Sequence, residues 1–184
     1  MGLALLLLAT GCARLPDYAM PRVELVEASQ LAKTDGIPYR KLTRGDFRAK
    51  QAPIANADHA AQMSAFSCAN VVPQGDLQME LRQQSAAGGF VASTAQARFV
   101  ARMDRNCSWW NPAPSEEAPS FILQHEQIHF AIAEVAARDL TERVRRLSAT
   151  GDSAEQAAAA LQDAVDGVFR DVVLEMTERN ARFD

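Results

Sequence analysis

Apolar and polar positions alternate through Leu77, Met79 and Leu81 against Gln78, Glu80 and Arg82. That two-residue period predicts a strand with one buried face. Phe99, Ala101 and Met103 alternate in the same way with Arg98, Val100, Arg102 and Asp104. Ala65 to Val72 reads as another strand, ended by Pro73-Gln74-Gly75-Asp76. Weaker strand patterns cover Arg22 to Val26 and Ile37 to Leu42, the latter followed by a turn at Thr43 to Asp46, while Pro53 to His59 is small and polar and reads as a loop. After Pro112-Ala113-Pro114 the period changes. Phe121, Ile122, Ile128, Ile132, Val135, Ala136, Leu140, Val144 and Leu147 recur at mostly three and four residues, which predicts one amphipathic helix reaching about Ser148. Ser115 or Ser120 would cap it and Gly151 would stop it. Ser153, with Gln156 three residues on, opens a second helix carrying Leu161, Val165, Val168, Phe169, Val172, Val173 and Met176. The expected fold is α+β, a small, mostly antiparallel sheet packed on a hairpin of two long helices, within one domain from residue 37 to 184.

The first residues are set apart from that fold. Leu3 to Ala9 is an apolar run too short to span a bilayer. It ends in Ala9-Thr10-Gly11-Cys12, which resembles a bacterial lipoprotein signal, although no Lys or Arg precedes it. Residues 1–12 are therefore expected to be a lipoprotein signal, cleaved before Cys12 so that its thiol carries lipid, with 13–36 as a linker and entry segment. The alternative is an ordinary signal peptide with an incidental cysteine. Ala13 after the cysteine points to the periplasmic face of an outer membrane; the plainer signal implies a periplasmic or secreted protein. Beyond residue 12 no apolar run is long enough to cross a membrane. A formal net charge of −4 with no basic stripe argues against a nucleic-acid partner. Cys68 and Cys107 remain, and in an oxidising compartment they are expected to pair. The loop so closed would contribute roughly 3–4 kcal/mol of stability. Two metal-bound thiolates are the rival, but this pair lacks the close spacing of zinc-thiolate sites.

The chemistry concentrates at His125-Glu126-Gln127-Ile128-His129. Four residues apart on a helix, His125 and His129 share a face and can converge on one zinc ion. Glu126 is then placed to take a proton from a water that the zinc polarises. Such a zinc normally has a third protein ligand. His59 is the remaining histidine, but it sits far upstream in a loop-like segment. Glu134, nine residues past His125, falls about 180° round the helix. On the second helix Glu175 flanks the apolar stripe of Val165, Val172 and Met176, whereas Glu178 lies nearly opposite it; Glu175 is the preferred third ligand.

Ser108-Trp109, then His125 to Phe130, Glu134 and Ala137-Arg138, with Tyr39 to Phe47 upstream, resemble a bacterial family described as predicted secreted Zn-dependent proteases and catalogued as a domain of unknown function. The resemblance spans roughly residues 37–180. It implies a zincin-like active-site helix, with zinc on His125 and His129, Glu126 as catalytic base, and Trp109 and Arg138 near the site or simply structural. This chain has Ala131 where the family often has Asp. Near the end of its last helix the family tends to carry Thr then His, where this chain reads Thr177-Glu178. If that His is the family's third ligand, this chain has either replaced it with a carboxylate or lost a full site.

The expectation is a secreted zinc metallopeptidase, lipid-anchored in the cell envelope, hydrolysing a protein or peptide substrate there. Two alternatives stand beside it: a non-catalytic, zinc-binding or metal-free envelope protein that binds a protein or cell-wall partner, and an amidase acting on cell-wall peptide. Tyr39 and Arg138 are conceivable stabilisers of a developing oxyanion.

Overall fold

The computed structural model describes residues 36–53, 57–84, 88–113 and 118–184. Cys12, the linker as far as residue 35, the strand expected at Arg22 to Val26, and Ser115 lie outside them. In chain order the elements are β1 (Gly36–Pro38), a 3-10 turn (Arg44–Asp46), α1 (Ala57–Gln62), β2 (Ala65–Pro73), β3 (Gln78–Gln83), β4 (Phe90–Gln96), β5 (Phe99–Trp110), α2 (Pro119–Arg145), β6 (Ser148–Gly151) and α3 (Ala154–Phe183). The α+β expectation holds, but the strands form two three-stranded antiparallel sheets, ordered β1-β5-β2 and β3-β4-β6.

The first sheet and α2 enclose the main core. Ala101 and Met103 on β5 are fully buried, as are Phe130, Ala137, Leu140 and Val144 on α2. Tyr39 meets Phe130 edge to face at 5.1 Å. The strand expected over 37–42 stops at Pro38 because its later backbone groups are claimed elsewhere. Gln127 accepts from Leu42 N–H (2.8 Å) and donates to Arg40 O (3.2 Å). Asp46 then folds the chain back by accepting from Thr43 N–H and the Thr43 hydroxyl, both at 2.9 Å. The loop expected over 53–59 gives way at Ala57 to the short α1, whose alanines favour helix.

β2 and β5 pair regularly except at one place. Phe66 lies opposite Trp109, but Cys68 lies opposite Asp104. Arg105 to Ser108 therefore bulge out opposite Ser67 alone. The bulge is held by the expected Cys68–Cys107 disulfide, whose Cα atoms are 5.7 Å apart. Fully buried Ser108 also ties it, accepting from Cys68 N–H (3.0 Å) and donating to Asp104 O (2.5 Å).

The second sheet corrects three expectations. Its β6 strand interrupts the link between the helices, which reads in sequence as a short loop ended by Gly151. Gly151 instead pairs with Phe90, and a Cβ there would come 2.5 Å from Ala157 N, so only glycine fits. β4 was not distinguishable in sequence because Ala92, Ser93 and Thr94 dilute its alternation. β3 forms as expected, yet every residue in it is exposed, because it is the outer strand; β4 and β6 take the cover of α3 through Ala92, Ala149, Ala157 and Leu161.

The ends of α2 differ from expectation: it stops at Arg145, short of Ser148, and Gly151 lies in β6 and does not end it. Pro119 occupies its first position behind Ala118, with no side-chain cap, so Ser120 is an ordinary first-turn residue. α3 starts at Ser153 as expected: its hydroxyl accepts from Gln156 N–H (3.2 Å), and the Gln156 side chain reaches back to Asp152 N–H (3.0 Å). Among the described residues no helix is long and apolar enough to cross a membrane.

Candidate metal centre

Helical spacing brings His125 and His129 together on one flank of α2, with Nε2 atoms 3.0 Å apart. The end of α3 runs antiparallel across that flank. Asp184 Oδ1 lies 3.0 Å from His129 Nε2 and 3.5 Å from His125 Nε2. All three ligand atoms fall within 4.8 Å of one another. Around a tetrahedral ion with bonds of about 2.1 Å, neighbouring ligand atoms are roughly 3.4 Å apart. The observed separations fit that geometry, and two imidazoles with one carboxylate is a donor set that suits zinc.

The neighbouring residues of α3 orient the ligands. Asn180 Oδ1 is 2.9 Å from His129 Nδ1. A carbonyl oxygen accepts there, so the proton belongs on Nδ1 and the Nε2 lone pair is left for an ion. Phe183 packs on both imidazoles, with ring centroids 4.8 Å from His125 and 5.1 Å from His129.

Glu126 is buried against β2, beside Ser67 and within reach of both histidines' charge. It is 3% exposed, and its Oε2 has no hydrogen-bond partner among the described residues. Burial pushes its carboxyl above the ordinary glutamate value; Ser67 and the two histidines oppose this without cancelling it. Ser67 stands beside the carboxylate, yet its Oγ also completes no hydrogen bond of normal geometry. Ser67, Glu126, His125, His129 and Asp184 all line one cleft of about 960 Å³, closed on the β2 side by the Cys68–Cys107 bridge.

Glu175, the third ligand expected from sequence, is not in this group. It lies nine residues before Asp184, about 13 Å along the helix axis. Its carboxylate is gripped by Arg143 at 3.0 and 3.1 Å, with Arg179 at 3.7 Å. The Arg143 hydrogen bonds hold Glu175 below the ordinary carboxylate range. The miss lies in where the two helices cross, since the end of α3 and not its middle reaches the histidines. Asn180 had a partial signal of its own: four residues past Met176, about 40° round the helix, it borders the apolar stripe with a polar side chain.

The other candidates resolve plainly. Glu134 pairs with Arg138 at 2.7 Å, away from the cleft. Trp109 is buried in the first sheet. Tyr39 belongs to the core against Phe130, and burial raises its phenol above the ordinary value; neither it nor Arg138 lines the cleft. His59 falls in α1, and its side chain lies outside the described residues. Gln127, read in sequence only as part of the motif, proves to be the clamp that fastens the segment at Arg40 and Leu42 to the metal-site helix.

No curated protein and no solved structure matches the chain. A family described as "Bacterial protein of unknown function (DUF922)" matches residues 116–184, the stretch that carries α2, β6 and α3 and with them His125, Glu126, His129, Asn180 and Asp184.

Proposed function

We propose that the protein is a zinc-dependent hydrolase of peptide bonds. The observation that supports this best is the convergence of His125 Nε2, His129 Nε2 and Asp184 Oδ1 in one cleft with the buried Glu126 carboxylate. Zinc bound there would supply Lewis-acid chemistry to a water and to the substrate carbonyl. Asn180 holds His129 in the tautomer that leaves Nε2 free, and Phe183 restricts both rings. Glu126 accepts the proton of the attacking water as its oxygen bonds to the carbonyl carbon, then delivers it to the departing amine as the C–N bond breaks. Desolvation of Glu126 makes it a stronger proton acceptor than an exposed glutamate. The cleft is within the size range of sites that enclose small ligands or short peptide segments. The Cys68–Cys107 disulfide and the Ala9-Thr10-Gly11-Cys12 signal both favour an exported protein, lipid-anchored in the cell envelope and acting on proteins or peptides there.

The test combines metal content with turnover. Wild type is expected to hold near one zinc per chain, and His129→Ala and Asp184→Ala to lose it. Glu175→Gln should keep it, because that carboxylate serves Arg143 instead. Glu126→Gln should retain zinc while peptide hydrolysis falls by about 10²-fold or more. Zinc retained by Asp184→Ala would remove the aspartate from the ligand set, and unchanged turnover in Glu126→Gln would sink the hydrolase reading.

A further inference from the structure

β3 is the outer strand of the second sheet, and no strand covers its far edge among the described residues. Gln84 N–H donates to Gly89 O (2.7 Å). With Arg82 opposite Val91 and Glu80 opposite Ser93, the main-chain groups of Glu80, Arg82 and Gln84 turn toward β4. The alternate residues Met79, Leu81 and Gln83 therefore direct their N–H and C=O groups outward.

The side chains of this edge are equally open. Leu81 shares a face with its partner Ala92, which is fully buried against Ala157 and Leu161. Beyond the cover of α3, Leu81 is 46% exposed and Met79 38%. On the opposite face Glu80 and Arg82 form an exposed ion pair at 2.8 Å. A bare edge of this kind is an association surface unless something blocks it, and β3 has no proline or lysine to do so.

We propose that β3 is a homodimerisation edge, pairing antiparallel with β3 of a second copy about a two-fold axis at Leu81. Charge complementarity selects the partner and the register. Centred on Leu81, the pairing sets each Glu80 opposite Arg82 of the other copy. It sets Leu81 against Leu81, and Met79 beside the aliphatic stem of Gln83. The outward N–H and C=O groups of Met79, Leu81 and Gln83 then meet their counterparts. Centring on Glu80 would oppose two glutamates, and centring on Arg82 two arginines. Slipping by half a step would set the covered face of one sheet against the polar face of the other. One isologous register therefore satisfies backbone, apolar and charged groups together, joining two three-stranded sheets into one of six strands.

Sedimentation velocity of the purified full chain over a range of concentrations tests this without reference to catalysis. Wild type is expected to show a concentration-dependent dimer. Glu80→Arg should weaken it about tenfold, since each copy then opposes Arg to Arg at two places. Adding Arg82→Glu to that variant restores the complementary pattern and should recover wild-type association. Leu81→Asp should be monomeric. All three positions are exposed, so circular dichroism should find the fold intact in each variant. A wild type that stays monomeric throughout overturns the proposal, as does a double variant that associates no better than Glu80→Arg alone.

Discussion

The two sheets are built from similar sequence and live in different surroundings. Met79 and Leu81 on β3 alternate with polar residues as regularly as Ala101 and Met103 on β5. Yet Ala101 and Met103 are fully buried, while Met79 and Leu81 are more than a third exposed. The difference is what lies over them. α2 crosses the first sheet and the disulfide staples its bulge, whereas α3 covers β4 and β6 and leaves β3 outside. Alternation specifies a strand with an apolar face, and only the placement of a helix decides whether that face is buried.

The contrast breaks most sharply through core deletion. Phe130→Ala, at the contact of α2 with Tyr39, is expected to cost about 3–5 kcal/mol in urea unfolding. Leu81→Ala in dilute solution should cost about 0.5 kcal/mol or less. Equal costs would mean that the second sheet is as firmly enclosed as the first.

Removing the staple comes next. Replacing Cys68 and Cys107 together by serine should lower stability by roughly 3 kcal/mol. Because Cys68 and Cys107 line the cleft beside Ser67, metal retention in this variant reports whether the bulge also shapes the site. Loss of stability with zinc intact would separate the two.

A smaller effect than loss of the staple concerns the turn that fastens the first sheet to α2. Burial raises the Asp46 carboxyl, but hydrogen bonds from Arg40 and from the backbone and hydroxyl of Thr43 outweigh it and hold the group below its ordinary value. A carboxyl depressed in the folded state contributes stability that is fully present above its unfolded value, near pH 4, and is lost as pH falls through the folded one. Asp46→Asn should therefore cost about 1–2 kcal/mol at neutral pH. The gap between wild type and variant should close as the solution is acidified below about pH 4. A gap that stays constant down to pH 2 would show that the charge of Asp46 contributes nothing.

Much of this molecule could be read before folding because the relevant interactions are local. His125 and His129 converge through a single helical turn. Ser153 and Gln156 cap α3 within three residues, and the period of α2 announces a helix whatever it packs against. The disulfide followed from two cysteines left over after the signal. What needed three dimensions were the choices between elements distant in sequence. Gln127 as a clamp depends on the chain at Arg40 arriving beside α2. Glu126 is buried beside Ser67 because β2 packs against α2. Asp184 rather than Glu175 faces the histidines because the end of α3, not its middle, crosses α2 beside them. Each depends on where two rigid elements cross, and that is set by the packing of the whole core, not by the spacing of residues along either one.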